Sequence, residues 1–288
     1  MHHNQEDFNI TDIVWVAVDT ETTGINPWKY EILEIGAVTF TTKSIIDRFQ
    51  IIIKPKKKQD PKSRAIHKIS DDEINANGVG LEFAMNGFFE FINGYPLIFH
   101  NASFDLSFLT ISAKKENLRF PENNYYDTLY LLRTYKPELE YYSLEYLKKY
   151  LKIEAESHRA LSDAEVTANL FQWILSDNLD NINTKKKFKS FLKYHRNTKS
   201  FEVRLPENLD SIMTYFNKYI HTKSMIKVKE NNFSNSTIRN ILPMEIMIFN
   251  QKLLLKCSVY PNNLIVLIPL AEAVIYDPER GPITIANI

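Results

Sequence analysis

The chain has 288 residues, 44% hydrophobic and 24% charged, so it is long enough to bury a full core and sits between one large domain and two ordinary ones. Its 35 basic and 35 acidic residues cancel, yet residues 1–175 carry 19 Lys+Arg against 25 Asp+Glu and residues 176–288 carry 16 against 10, which points to two parts of opposite charge. The lone Cys257 excludes an intramolecular disulfide and a thiolate metal site. With no run of 18 apolar residues and no leader-type N-terminus, a soluble, cytoplasmic protein without a membrane partner is expected.

Residues 13–19 (IVWVAVD) form an apolar run of strand length, as expected of a central strand buried on both faces, and end at a TETTG turn. Residues 32–40 and 44–53 read as two further strands joined in hairpin fashion, and the lysine-rich stretch beginning at Lys54 stops the pattern. Helical spacing of Leu81, Ala84, Met85, Phe88, Phe89 and Ile92 predicts a helix, followed by a short strand over 96–100 (PLIFH). Ser103 can cap a helix running to about residue 117, and helices are predicted over 128–135, 143–151 and 160–175. A strand meander followed by alternating helices and single strands predicts an α/β fold with a mixed sheet.

Composition then changes. Residues 176–200 are polar, then basic, and read as a linker with some helix in it. Leu209, Ile212, Met213, Phe216 and Ile220 mark an amphipathic helix. Beyond it MIKVKE, TIRNIL, EIMIF, KLLLKCSV and LIVLIPL are short β-type runs between Asn-rich turns, which predicts a small barrel or sandwich of about five strands.

Three segments carry candidate chemistry. Asp19 and Glu21, two apart on a strand, leave the same face and can share a cation; a solvated strand end explains the same pair. His100-Asn101-Ala102-Ser103-Phe104-Asp105 runs from a strand into a helix whose first turn presents Asp105, which is also where a helix dipole favours an acid. In His158-Arg159-Ala160-Leu161-Ser162-Asp163, a five-residue separation is about 140° of helical rotation, so His158 is expected in the loop before the helix and Asp163 within it. Four carboxylates without a thiol suit Mg²⁺ or Mn²⁺. An imidazole suits a general base at neutral pH.

The segments DTETTG, HNASFD and HRALSDA, in this order, resemble the three motifs of the DEDDh (DnaQ-like) 3′→5′ exonucleases. That family includes the proofreading subunit of bacterial DNA polymerase III and the exonuclease domain of PolC-type polymerases. The likeness spans about residues 11–175 and extends to EILEIGAV, AIHKIS, DTLYLLRTYKPEL and SLEYLKKYLKI. It implies a ribonuclease-H-like domain over 1–175 with a mixed five-stranded sheet and helices on both faces. It further implies two Mg²⁺ or Mn²⁺ ions held by Asp19, Glu21, Asp105 and Asp163, with His158 as general base. The tyrosine subclass places Tyr four positions before its last Asp; here Arg159 stands there, so the histidine subclass is favoured.

The same resemblance places Thr22, Gly24 and His67 near the terminal nucleotide, with a turn role open for Thr22 and loop packing open for His67. Expected partners are single-stranded or frayed 3′ ends of DNA, or RNA, and a separate polymerase or repair protein, since no polymerase motif is present. The competing reading is a non-catalytic nucleic-acid-binding or ligand-sensing regulator retaining the fold. Residues 176–205 are expected to be a basic linker whose Phe188, Phe191 and Tyr194 interleave with lysines, either to guide a strand or to pack on a domain. Lysines from Lys54 to Lys68, including Lys58, read first as solvated surface. Residues 206–288 resemble in layout a WYL-type SH3-like barrel, although Lys252-Leu253-Leu254 stands where Trp-Tyr-Leu would. His100 is read as a structural histidine and Cys257 as a buried, inert thiol.

Overall fold

The computed structural model describes residues 10–57, 59–155, 158–178, 185–191, 193, 195–201, 208–230, 238–249 and 252–288; Lys58, Tyr194 and parts of the expected linker lie outside these. The chain forms two compact units, Met1–Ile25 with Lys29–Glu202, and Asn26–Trp28 with Val203–Ile288.

Unit 1 is built on a sheet of order β3-β2-β1-β4-β5-β6. Its strands are β1 (Trp15–Thr22), β2 (Ile32–Phe40), β3 (Ile45–Ile52), β4 (Leu97–Phe99), β5 (Asn124–Asp127) and β6 (Arg196–Asn197). β1 to β3 are antiparallel, β4 runs parallel to β1 and β5 to β4, and β6 returns antiparallel, so the sheet is mixed as expected. The helices are α1 (Pro61–His67), α2 (Asp71–Asn77), α3 (Leu81–Ile92), α4 (Ala102–Lys115), α5 (Thr128–Tyr135), α6 (Leu144–Tyr150), α7 (Ala160–Ser176) and α8 (Lys185–Phe191).

β1 is central, and its alternation sends Trp15 and Ala17 into a cluster with Phe40 of β2 and Val166, Leu170, Phe171 and Ile174 of α7. Trp15 meets Phe171 edge to face at 5.4 Å between centroids, the preferred quadrupole arrangement. Each such fully buried side chain contributes ~1.5–3 kcal/mol by leaving water. Asp19 and Glu21 continue this α7-facing row, so the apolar packing that docks α7 also aims the carboxylates.

The sheet has six strands rather than five, because the segment read as a linker belongs to unit 1. Phe188 and Phe191 of α8 are 7% and 5% exposed and join the β1–α7 cluster, Phe191 stacking on Tyr135 at 4.3 Å. Phe188 and Phe191 therefore pack on the domain; the basic composition hid the apolar side of a two-turn helix. β1 also runs on to Thr22, so the turn starts later than the TETTG pattern suggested.

α4 begins at Ala102 with Asn101 at φ 71° as N-cap, and Ser103 makes no cap. Instead the backbone N–H groups of Asn101 and Ala102 donate to Asp127, at 3.0 and 3.1 Å. The same carboxylate caps α5 by accepting from Leu129 N at 3.0 Å.

Unit 2 is one antiparallel sheet of order β10-β9-β8-β7-β11-β12 with helix α9 (Leu209–Thr222) packed on it. Its strands are β7 (Ile226–Glu230), β8 (Arg239–Phe249), β9 (Lys252–Val259), β10 (Leu264–Pro269), β11 (Ala273–Asp277) and β12 (Gly281–Ile283). A small barrel or sandwich of about five strands was expected; the unit is one six-stranded antiparallel sheet whose two outer strands do not pair among the described residues. The runs predicted as two strands, from Arg239 to Leu242 and from Glu245 to Phe249, form the single strand β8, with an irregularity between Pro243 and Glu245. Cys257 is fully buried in β9 and forms no disulfide among the described residues. Asn26 belongs to this unit through a 2.6 Å hydrogen bond from its Nδ2 to the Ile246 carbonyl. Among the described residues no helix is long and apolar enough to cross a membrane.

Candidate active site

β1 carries Asp19 opposite Gly36 and Glu21 opposite Glu34 on β2. Asp105, 3% exposed in the first turn of α4, is tied to the same strand: Thr20 N and Oγ1 donate to its Oδ1 at 3.0 and 2.8 Å. The third element is α7. His158 lies outside it with φ 61°, and Asp163 lies inside it, 6% exposed, accepting from His158 N at 3.0 Å through Oδ2. The other oxygen, Asp163 Oδ1, is buried and has no hydrogen-bond partner among the described residues. Potential ligand atoms of Glu21, His158 and Asp163 all lie within 4.8 Å of one another.

Asp19 feels the charges of the other three carboxylates. Burial raises its pKa well above the usual range, and the charges of Asp105, then Asp163, then Glu21 add to the effect. Burial also raises Glu21, to about 8, with Asp163 and Glu34 contributing. Asp105 is pushed up to about 7 by burial against its Thr20 hydrogen bonds, and Asp163 to about 6 by burial against the His158 backbone N–H. Four carboxylates held this close disfavour their own ionisation; hard divalent cations are the counter-charge that suits oxygen donors. The orphaned Asp163 Oδ1 fits the same requirement, so the residues present match a divalent metal centre.

The sequence profile described as Exonuclease, of the RNase_T type, matches residues 16–171, more than half of the chain. The chain belongs to this exonuclease family. Among curated relatives, the PolC-type DNA polymerase III of Caldanaerobacter subterraneus is 38% identical over 160 residues, which is 54% of this chain and 11% of the polymerase. The PolC-type enzyme of Thermotoga maritima is 35% identical over 167 residues, 58% of this chain and 12% of the polymerase. The exonuclease thus spans only about a ninth of the length of these relatives.

Solved structures share its fold, among them the following two. The nuclease domain of 3′hExo, a DEDDh family member bound to rAMP, has a TM-score of 0.51 at 18% identity, covering 57% of this chain and 92% of that one. E. coli Exonuclease I with a dT13 oligonucleotide has a TM-score of 0.52 at 15% identity, covering 85% and 55%. This exonuclease accordingly has a DnaQ-like, ribonuclease-H-like fold.

The remaining predicted residues are placed as follows. Thr22 Oγ1 donates to the Gly24 carbonyl at 2.8 Å, a turn contact. A Cβ on Gly24 would stand 2.3 Å from the Tyr30 ring, so packing inside the exonuclease already requires glycine there. His67 is 1% exposed; its Nδ1 accepts from Ile69 N at 3.0 Å, which puts the ring proton on Nε2, a buried atom with no partner among the described residues. Burial lowers its pKa, so the ring is held neutral. His100 is structural, paired with Thr128 Oγ1 at 2.9 Å and the Tyr142 carbonyl at 2.8 Å.

In the sequence Glu34 stands out only as part of EILEIGAV. It is fully buried and accepts from Arg159 Nη2 at 3.0 Å, Gln50 Nε2 at 2.6 Å and Ala160 N, the first residue of α7, at 3.0 Å. Arg159 also reaches Glu73 of α2 at 2.8 Å. Glu34 faces Glu21 across the strands, a like-charge pair that Arg159 offsets. At Gly36, an added Cβ would lie 2.1 Å from the Ala160 backbone. Together Glu34, Gly36 and Arg159 set the height of α7's first turn over β2, and hence of His158 and Asp163. A glutamate inside an otherwise apolar strand was the available signal.

Proposed function

We propose that this exonuclease binds a 3′ end of nucleic acid, single-stranded or frayed, and hydrolyses its last phosphodiester to release a nucleoside 5′-monophosphate. The observation that carries the reading is the convergence of Glu21, His158 and Asp163 within 4.8 Å beside Asp19 and Asp105. Asp19, Glu21 and Asp163 would hold one ion and Asp19 with Asp105 a second, Mg²⁺ or Mn²⁺ by the all-oxygen carboxylate set. Bound there, two hard cations supply Lewis-acid stabilisation for the attacking and leaving oxygens.

His158 sits on the loop before α7 with 40% of its side chain exposed, able to meet both the cluster and solvent. It takes the proton of the attacking water while the P–O3′ bond breaks, and the departing O3′ takes a proton from solvent to leave a 3′-hydroxyl on the shortened strand. Glu145, 4.0 Å from Nε2, is placed to stabilise the imidazolium so formed. The neutral, buried His67 offers an Nε2–H that can donate to the terminal nucleotide, and Thr22 and Gly24 form the adjoining turn.

DNA and RNA are both within this chemistry, and association with a polymerase, detectable by co-purification, would mark a proofreading role. A cytoplasmic setting fits the bacterial replication proteins it is similar to. Residues 206–288 are read as an accessory domain of WYL-type layout.

The test is digestion of 3′-labelled single-stranded and duplex DNA and RNA with Mg²⁺, Mn²⁺ or EDTA. Stepwise loss of 5′-monophosphates, abolished by EDTA and by Asp19→Ala, is expected; full turnover by purified Asp19→Ala protein would sink the assignment.

A further inference from the structure

Away from the metal carboxylates, unit 1 contains a cavity of about 180 Å³ lined by Lys54, Lys56, Lys57 and Lys115 together with Glu31 and Glu116. The volume corresponds to several water molecules, enough for a phosphodiester group. Both acids are engaged: Glu31 Oε2 accepts from the Lys57 backbone N–H at 2.8 Å, and Glu116 Oε1 pairs with Lys56 Nζ at 3.5 Å. Four cations against two anions leave a positive excess in a concave site, where field lines concentrate.

The lysines come from distant parts of the sequence. Lys54, Lys56 and Lys57 lie on the loop after β3, and Lys115 ends α4. A helix dipole accounts for a basic residue in the last turn of α4, but not for its meeting three loop lysines. Their convergence is felt: burial, then the Lys57 charge, lowers the pKa of Lys115, with Lys56 adding and Glu31 opposing. Gathering like charges in a partly desolvated hollow costs free energy unless an anion joins them.

The cavity is coupled to the site by two elements. Lys115 is ten residues along α4 from Asp105, or about 15 Å at the helical rise. Glu31 is bonded to Thr23, its carbonyl accepting from Thr23 N at 2.9 Å, next to the Thr22–Gly24 turn. A span of about 15 Å corresponds to a few nucleotides of backbone.

We propose that this lysine-lined cavity is a phosphate subsite that holds the substrate strand a few nucleotides upstream of the scissile bond. The inference rests on the exonuclease reading above. Its ligand is the nucleic-acid backbone, without base preference, because ammonium groups read phosphate charge and not base edges.

The test compares a 20-mer with a dinucleotide, which is too short to reach the cavity, for wild type and the Lys57→Gln/Lys115→Gln variant. For the variant the ratio of kcat/KM on the 20-mer to that on the dinucleotide is expected to fall about three- to tenfold, and the salt slope of log KM on the 20-mer to become shallower by roughly 0.7 per lysine. Equal losses on both substrates, or no loss on either, overturn the subsite. Binding of a fluorescent 20-mer, read by anisotropy, tests it independently of turnover: unchanged affinity in the variant overturns it even if wild type proves inactive. Inactive wild type on both substrates overturns the exonuclease reading instead.

Discussion

At the scale of single residues, the site is a conflict between burial and charge. In the absence of cations Glu21, Asp105 and Asp163 stay protonated to about pH 8, 7 and 6, against the usual carboxylate range of about 4 in an unfolded chain. Between about pH 4 and 8 the folded form therefore binds more protons than the unfolded one, and stability falls as pH rises. In EDTA the melting temperature is expected to drop from pH 5 to pH 8, and Asp163→Asn to melt higher than wild type at pH 8 but not at pH 5. Added Mg²⁺ should recover the wild type alone; a flat melting temperature from pH 5 to 8 would contradict the account. His158→Ala removes the proposed base without touching a carboxylate, so turnover should fall by about 10²–10⁴ while the Mg²⁺-induced rise in melting temperature persists.

At the scale of elements, the decisive joint is that of α7 on β2. Gly36 admits the Ala160 backbone where any Cβ would collide, and Glu34 accepts from both Ala160 N and Arg159. Gly36→Ala is therefore expected to destabilise unit 1 by about 1–3 kcal/mol in urea denaturation. It should also lower kcat by about 10²-fold, because lifting α7 by even 1 Å moves His158 and Asp163 together away from Asp19. A variant with lost stability and intact kcat would separate the joint from the chemistry. Nothing in the helical periodicity of residues 160–175 announces this contact, since the strand and helix meet across more than a hundred residues of chain.

At the scale of the whole molecule, unit 1 runs through the basic segment to Glu202, and α8 and β6 complete its core and sheet. A truncation after Leu175 would uncover Trp15, which packs against Phe188 at 6.5 Å, and would delete Phe191 from the same cluster. Phe188→Ala is expected to cost about 3–5 kcal/mol, as for other buried aromatics. The shortened chain should melt without a cooperative transition by circular dichroism; a sharp, unshifted transition would mean that α8 adds little to the core.

The sequence by itself determined the parts whose signals are local. β1 and α7 follow from apolar periodicity, and the row Asp19–Glu21 from strand alternation. The placing of His158 before α7 and Asp163 inside it follows from a five-residue spacing that no helical face accommodates. Other features depended on partners far along the chain, which periodicity does not register. The Asp127 carboxylate caps α4 in place of Ser103, Tyr30 requires glycine at position 24, and Phe188 and Phe191 turn an apparent linker into core. Glu34 belongs with these: on β2 it is one acid in an apolar strand, and only the fold gives it Arg159 and the first turn of α7. The five residues of the site were visible as motifs, but their common position was decided by the strand and helix packing that forces four carboxylates together.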